Sequence, residues 1–281
     1  MPRYFEPELI SRPIAGRLQA WREAGAGDRL PLVLLHGIGS NSRAWAGQFA
    51  GFAAERRVVA WNAPGYAGSA PLASEWPIPG DYAQALGVLL DHVSIARCVL
   101  VGQSLGAVMA TAFALGRPDR VAALVLASPA SGYGVPAGKP LPDGIAQRIA
   151  DVETLGPEGL AAARYGRLLS HGACEQAHAI VRQAMAEVVP RGYVQASRLL
   201  ASADLTTAVA GLSVPVTTLW GGADVITPPA RCATVAAAAP GGVGIEIPGG
   251  GHAMATQRPE QFNQALRTVL ADADAREGVM A

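Results

Sequence analysis

Residues 98–106 read CVLVGQSLG. Four apolar residues run on without alternation, then a serine stands between two glycines, Gly102 and Gly106. The next residues, 107–116 (AVMATAFALG), have the composition of a helix. A short unbroken Val/Leu run is what a strand buried on both faces by helices looks like. The helical stretch 104–116 closes with Gly116 and with Pro118 just beyond, a usual stop signal. The segment therefore reads as a central strand that turns sharply into a helix, with Ser104 at the turn.

The same unit recurs in both directions along the chain. Apolar runs stand at 31–35 (PLVLL), 57–61 (RVVAW), 121–127 (VAALVLA), 214–220 (VPVTTLW) and 243–247 (VGIEI). Helical stretches lie between them at 42–54, 81–93 and 230–239, and a last one begins at Pro259 and reaches about 272. Strands alternating with helices of this length make a doubly wound, mostly parallel α/β sheet. Ahead of the pattern, 17–23 (RLQAWRE) alternates and is expected to be a half-exposed antiparallel edge strand. From 129 to 213 no buried strand is expected. A Gly- and Pro-rich loop leads there into helical stretches, two of which Pro157 and Pro190 are placed to start. The reading is one domain, 1–128 with 214–281, interrupted by a helical cap at 129–213.

Composition narrows the function. Lys and Arg number 22 against 22 Asp and Glu, and charged residues are 16% of 281. A nucleic-acid partner ordinarily shows in a basic excess, so none is expected. Cys98, Cys174 and Cys232 are scattered, with no paired spacing that would suggest a metal or redox site. Free cysteines of this kind suit a reducing compartment. No apolar run approaches a membrane span, and residues 1–16 lack the apolar core of a secretory signal. A cytoplasmic location is expected, with no membrane partner.

The chemistry concentrates at strand ends. Gly-x-Ser-x-Gly between a strand and a helix is a nucleophile elbow: the turn is tight, so the flanking residues must be small. The helix it opens aims unpaired N–H groups at developing negative charge. After the run 31–35 comes His36-Gly37-Ile38-Gly39, whose backbone can approach a reacting carbonyl. The N–H groups of Ile38 and Leu105 would make a two-donor oxyanion hole, while His36 is expected to hold the loop by hydrogen bonds.

A serine needs a base, and the base an orienting acid. His92 falls in a helix, and His171 and His178 fall in the insertion. His252 follows the last strand in 248–252 (PGGGH), where site loops gather. Asp224 follows the strand ending at Trp220, in 220–229 (WGGADVITPP). The alternative acid position after 121–127 holds Ser128 and Pro129. The order Ser104, Asp224, His252 is the one this elbow requires.

These motifs together resemble the α/β-hydrolase superfamily over residues 17–271. They are HGIG, NAPGYAGS, GQSLG, GRPDRV, WGGADVITPP and GGGHAMATQRPEQF. The resemblance implies Ser104 as nucleophile, Asp224 as acid and His252 as base, with Ile38 and Leu105 as the oxyanion hole and a helical cap at the insertion. Within the superfamily, 192–205 (GYVQASRLLASADL) resembles the cap of enol-lactonases and small carboxylesterases. The implied reaction is hydrolysis of a small-molecule ester or enol-lactone, with no metal and no cofactor. C–C hydrolases of dienone products share the core but carry Met after the serine and Trp after the histidine. Here those residues are Leu105 and Ala253. A slow-turnover ligand receptor, and a cofactor-free oxygenase or lyase, use the same scaffold. Expected pocket residues are Gly37, Trp45, Trp220 and Met254. The insertion's Arg148, Arg164, Arg167, Arg182, Arg191 and Arg198 alternate with Asp151, Glu153, Glu158, Glu175 and Glu187, and read as solvated helix charges.

Overall fold

The computed structural model describes residues 3–280, of which 279 and 280 by backbone alone. Residues 1, 2 and 281, the outermost ends of the expected core segments, lie outside the described residues. Eight strands form one sheet: β1 (Leu9–Ile14), β2 (Arg17–Ala24), β3 (Leu32–Leu35), β4 (Val58–Asn62), β5 (Cys98–Gln103), β6 (Val121–Ala127), β7 (Val216–Gly221) and β8 (Val243–Ile247). Their order is β1-β2-β4-β3-β5-β6-β7-β8. From β4 to β8 every pairing is parallel, and β2 runs antiparallel to both its neighbours. Among the described residues the α-helices are α1 (Ala46–Phe52), α2 (Pro79–His92), α3 (Leu105–Gly116), α4 (Asp143–Arg164), α5 (Glu175–Ala186), α6 (Pro190–Ser202), α7 (Leu205–Val209), α8 (Pro229–Ala238), α9 (Met254–Gln257) and α10 (Pro259–Met280).

The unbroken apolar runs have a direct cause. Successive side chains of a strand point to opposite faces, and here both faces are covered. Leu32 and Leu34 of β3 pack with Phe49 and Phe52 of α1 and Phe262 of α10. Val33 and Leu35 pack on the other side with Leu86 of α2 and Phe113 of α3. Each such side chain, taken fully from water, contributes ~1.5–3 kcal/mol before entropy is counted.

One expectation is corrected. The segment 17–23 is not an edge strand, because β2 sits between β1 and β4. The true edge is β1, joined to β2 by a two-residue turn in which Ala15 and Gly16 both take positive φ, as a twisted hairpin requires. Its sequence, LISRPI, is largely exposed and carries Pro13, so it has no buried-strand signature. The stretch 42–54 also differs slightly: it opens as a 3-10 turn over Ser42–Trp45 before α1 begins.

Residues 129–213 hold α4 to α7 and no named strand. Pro190 starts α6. Pro157 lies within the span of α4 but follows a break at Gly156, whose φ is 65° and ψ 177°. Proline there opens the second half of a kinked helix. Among the described residues no helix is long and apolar enough to cross a membrane.

Register aligns the carboxyl ends of the central strands. Leu35 sits opposite Trp61 and Gly102, Gln103 opposite Ala127, and Ala127 opposite Leu219. The loops after β3, β5, β7 and β8 therefore emerge along one edge, as they do at the ligand-binding edge of open α/β sheets.

Candidate active site

At the end of β5 the chain reverses through Ser104, whose φ of 53° and ψ of −115° lie outside the comfortable regions for an L-residue. Such a conformation costs ~1–3 kcal/mol and persists only where neighbours hold it. Three backbone bonds hold it here: Ser104 N–H donates to Ala127 O at 2.8 Å, and Ser104 O accepts from Ala107 N–H at 3.1 Å and Ala130 N–H at 3.2 Å. The turn also brings main chains together. A Cβ on Gly102 would lie 2.3 Å from Gly106 O, and one on Gly106 2.4 Å from Leu35 O. No side chain fits at either position.

Leu105 opens α3, and the first N–H groups of a helix have no intrahelical acceptor. Beside it runs the loop after β3. His36 is buried and bridges two loops: Nδ1–H donates to Gly37 O at 2.8 Å, and Nε2 accepts from Ala63 N–H at 3.1 Å. That pattern needs the neutral ring, and burial lowers its pKa to about 4. Gly37 rests directly on the elbow, since a Cβ there would lie 2.8 Å from Ser104 Cβ.

Asp224 is buried in the loop after β7. Its Oδ1 accepts from the N–H groups of Ile226 at 2.8 Å and Thr227 at 2.9 Å. Its Oδ2 accepts from Thr227 Oγ1 at 2.8 Å and His252 Nδ1 at 2.9 Å. Burial alone would raise this carboxyl, but the His252 and Thr227 hydrogen bonds outweigh it and bring the pKa down to about 2. An ionised carboxylate only accepts hydrogen bonds, so the His252 proton sits on Nδ1 and leaves Nε2 as the basic nitrogen.

His252 is held from both sides. Gln103, the residue before the serine, donates through Nε2 to His252 O at 2.9 Å. The next residue, Ala253, donates its N–H to Leu168 O of the insertion at 2.8 Å. Gln257 of α9 accepts from Gly251 N–H at 3.0 Å and from Ser170 N–H at 3.1 Å. A Cβ on Gly251 would lie 2.6 Å from Ser170 N, so the glycine before the histidine serves close approach to the insertion.

Ser104, His252 and Ile38 line one cavity of about 130 Å³ between the strand ends and the insertion. Asp224 stands behind His252 and outside that lining. Gly37 borders a smaller adjoining cavity with Ser104 and His252. Three expected pocket residues are absent from both linings. Trp45 is fully buried against Phe262 under the sheet. Met254 is fully buried in the same cluster, because the turn of α9 carries it beneath the sheet. Trp220 packs over Gly244 of β8, and its Nε1–H donates to Glu246 at 3.2 Å. The lining instead includes Tyr193, Met185, Ser131 and Tyr133. Tyr193 was within reach of a sequence reading, since it stands in the segment GYVQASRLLASADL.

The family model described as the Alpha/beta hydrolase family matches residues 32–265. The pimeloyl-[acyl-carrier protein] methyl ester esterase of Edwardsiella ictaluri is 28% identical over 267 residues, covering 88% of this chain and 95% of that protein. A thermophilic esterase from Thermogutta terrifontis, solved with malate bound, superposes with a TM-score of 0.82 at 26% identity, covering 95% of this chain and 99% of that one. The enol-lactonase from Burkholderia xenovorans LB400 gives 0.83 at 23% identity, covering 93% and 100%, a likeness of fold. A match over most of the chain, on a fold whose strand-end loops carry Ser104, Asp224 and His252, has one consequence: this chain belongs to the alpha/beta hydrolase family.

Proposed function

We propose that the chain is a serine hydrolase that cleaves a small-molecule carboxylic ester or enol-lactone through Ser104, His252 and Asp224. One observation carries the reading. The 2.9 Å bond from His252 Nδ1 to a buried carboxylate leaves Nε2 basic on a ring that shares a cavity with Ser104. In this mechanism His252 Nε2 takes the Ser104 proton as Oγ attacks the carbonyl carbon, and Asp224 stabilises the imidazolium that forms. The N–H groups of Ile38 and Leu105 hold the oxyanion, and one such donor is worth ~10²–10³ in rate. His252 then protonates the departing alcohol or enol. Water, deprotonated by the same ring, releases the acid and restores the serine. Protein groups and water supply every step.

The insertion at 129–213 acts in this reading as the cap over a core of 1–128 and 214–281. Its Leu168–Ser170 segment braces the histidine loop, and its helices roof the cavity.

The test is turnover of 4-nitrophenyl acetate together with covalent labelling by a fluorophosphonate. Wild type should turn over repeatedly and label once per chain. Ser104→Ala should do neither while its melting temperature holds. A Ser104→Ala enzyme with near-wild-type turnover removes the proposal.

A further inference from the structure

The cavity wall has an uneven charge. Arg148 and Arg164 of α4, Arg167 of the following 3-10 turn and Arg231 of α8 all line it, and no Asp or Glu does. Arg164 is accounted for, since it is ion-paired with Asp151. Arg148, Arg167 and Arg231 have no carboxylate within ion-pair distance among the described residues; Arg148 reaches only the Tyr193 hydroxyl, at 3.3 Å.

The insertion's arginines therefore divide: Arg167 is exposed, as a solvated charge would be, but with Arg148 and Arg164 it also lines the cavity. Arg191 and Arg198 do pair outward with Glu75, and Arg182 is exposed away from the cavity. Arg148, Arg167 and Arg231 differ from these in lining the cavity, where none of the three has an ion-pair partner among the described residues. Arg148 and Arg167 come from adjoining elements of the insertion and Arg231 from α8, far along the chain, so their meeting at one cavity is tertiary and charge patterning on a single helix does not explain it. Like charges around one concave space repel and focus a positive potential into it. An anion entering that space relieves the repulsion.

We propose that the substrate is an ester or lactone bearing a free carboxylate, which Arg148, Arg167 and Arg231 bind while Ser104 attacks the ester carbonyl. The proposal rests on the hydrolase reading above and adds the substrate's charge to it. Guanidinium forks match carboxylate geometry, and a cavity of about 130 Å³ suits a short acid-bearing chain. Ser131 and Tyr133 add hydroxyl donors to the same wall.

The experiment compares matched pairs. On the acyl side, the 4-nitrophenyl monoester of glutaric acid is set against 4-nitrophenyl valerate, which has the same chain length. On the leaving side, the acetyl ester of 4-hydroxybutyrate is set against butyl acetate. Wild type should favour the anionic member of at least one pair by about tenfold or more in kcat/KM. Arg148→Gln, Arg167→Gln and Arg231→Gln should each lower that ratio by about 10- to 100-fold, mainly through KM, as loss of a charged hydrogen bond does. Arg182→Gln should leave the ratio at the wild-type value. Raising NaCl should raise KM for the anionic ester more than for the neutral one.

Preference for the neutral member of both pairs overturns the proposal, as does a ratio indifferent to all three arginines. Inorganic phosphate inhibiting more strongly than glutarate overturns the carboxylate assignment. The two readings fail separately. Loss of Ser104-dependent turnover of the neutral esters would strike the hydrolase reading alone. Calorimetric binding of glutarate, but not of glutaramide, to Ser104→Ala reports on the arginines without any catalysis, and equal binding of the two refutes their role.

Discussion

Gly37→Ala puts the proposed geometry under a quantitative strain. The added Cβ would sit 2.8 Å from Ser104 Cβ, 3.2 Å from Gln103 O and 3.4 Å from Ser104 Oγ. Carbon atoms pack comfortably at ~3.5–4.0 Å, so the loop after β3 must retreat from the elbow by ~0.7 Å or more. Neither side yields easily. The loop is tied through His36 to Gly37 O and Ala63 N–H, and the elbow is tied to Ala127 and Ala130. An Ile38 N–H placed ~2.9 Å from an oxyanion would move to ~3.6 Å, beyond the 2.7–3.1 Å over which such donors act. Losing one donor corresponds to ~10²–10³ in kcat, or ~3–4 kcal/mol of transition-state stabilisation. Overpacking should cost a further ~1–3 kcal/mol of stability. The assay is kcat and KM on a neutral chromogenic ester, with urea unfolding alongside. Gly80→Ala, where the added atom meets nothing within 4 Å, is the control. A Gly37→Ala enzyme with kcat within threefold of wild type would refute the assignment of this loop to the oxyanion.

Two further outcomes follow from the same contacts. His36 has a folded pKa of about 4 against ~6.5 unfolded, so the unfolded chain binds the extra proton. Its contribution is full above pH ~6.5 and is lost as pH falls toward 4, by roughly 3 kcal/mol. Urea titrations at pH 7.5 and 4.5 should show that loss in wild type and a smaller one in His36→Asn; equal losses would contradict it. Gln257→Ala strips the shared acceptor from Gly251 and Ser170. It should lower kcat by ~10-fold and stability by ~1–3 kcal/mol, with fluorophosphonate labelling slowed but complete; unchanged kcat would mean the histidine loop needs no such brace.

The central sheet was readable because its strands are buried twice over. Covering both faces demands apolar residues without a gap, and 121–127 was placed with the bounds that β6 has. β1 escaped notice for the opposite reason. Held by backbone pairing at an edge, it asks little of its side chains. The triad candidates were legible since each follows a strand end, and strand ends share one edge in a parallel sheet. Pocket side chains were not. Trp45, Trp220 and Met254 are large and near the motifs, but adjacency in sequence does not say which way a side chain points. The arginines failed in the reverse direction. Charge alternation on a helix looks the same whether the face meets water or a cavity, and Arg231 lies in a different part of the chain from the others.

What sequence spacing hides most completely is how the histidine loop is shared between the two parts of the molecule. The core contributes Gln103, which fixes the carbonyl of His252, and Asp224, which fixes its ring. The insertion contributes Leu168 O to the very next N–H and Ser170 to Gln257. Arg167 precedes Leu168 directly, so the residue proposed to meet the substrate's carboxylate and the carbonyl that braces the His252 loop share one turn of the chain. Deleting the insertion would therefore free Ala253 N–H and take Ser170 from Gln257 as well as opening the cavity. A deletion variant that lost activity would report on the placement of His252 as much as on substrate specificity. Point changes at Arg167 and Gln257 separate the two effects, since the first leaves every hydrogen bond to the histidine loop in place and the second leaves every arginine of the cavity wall.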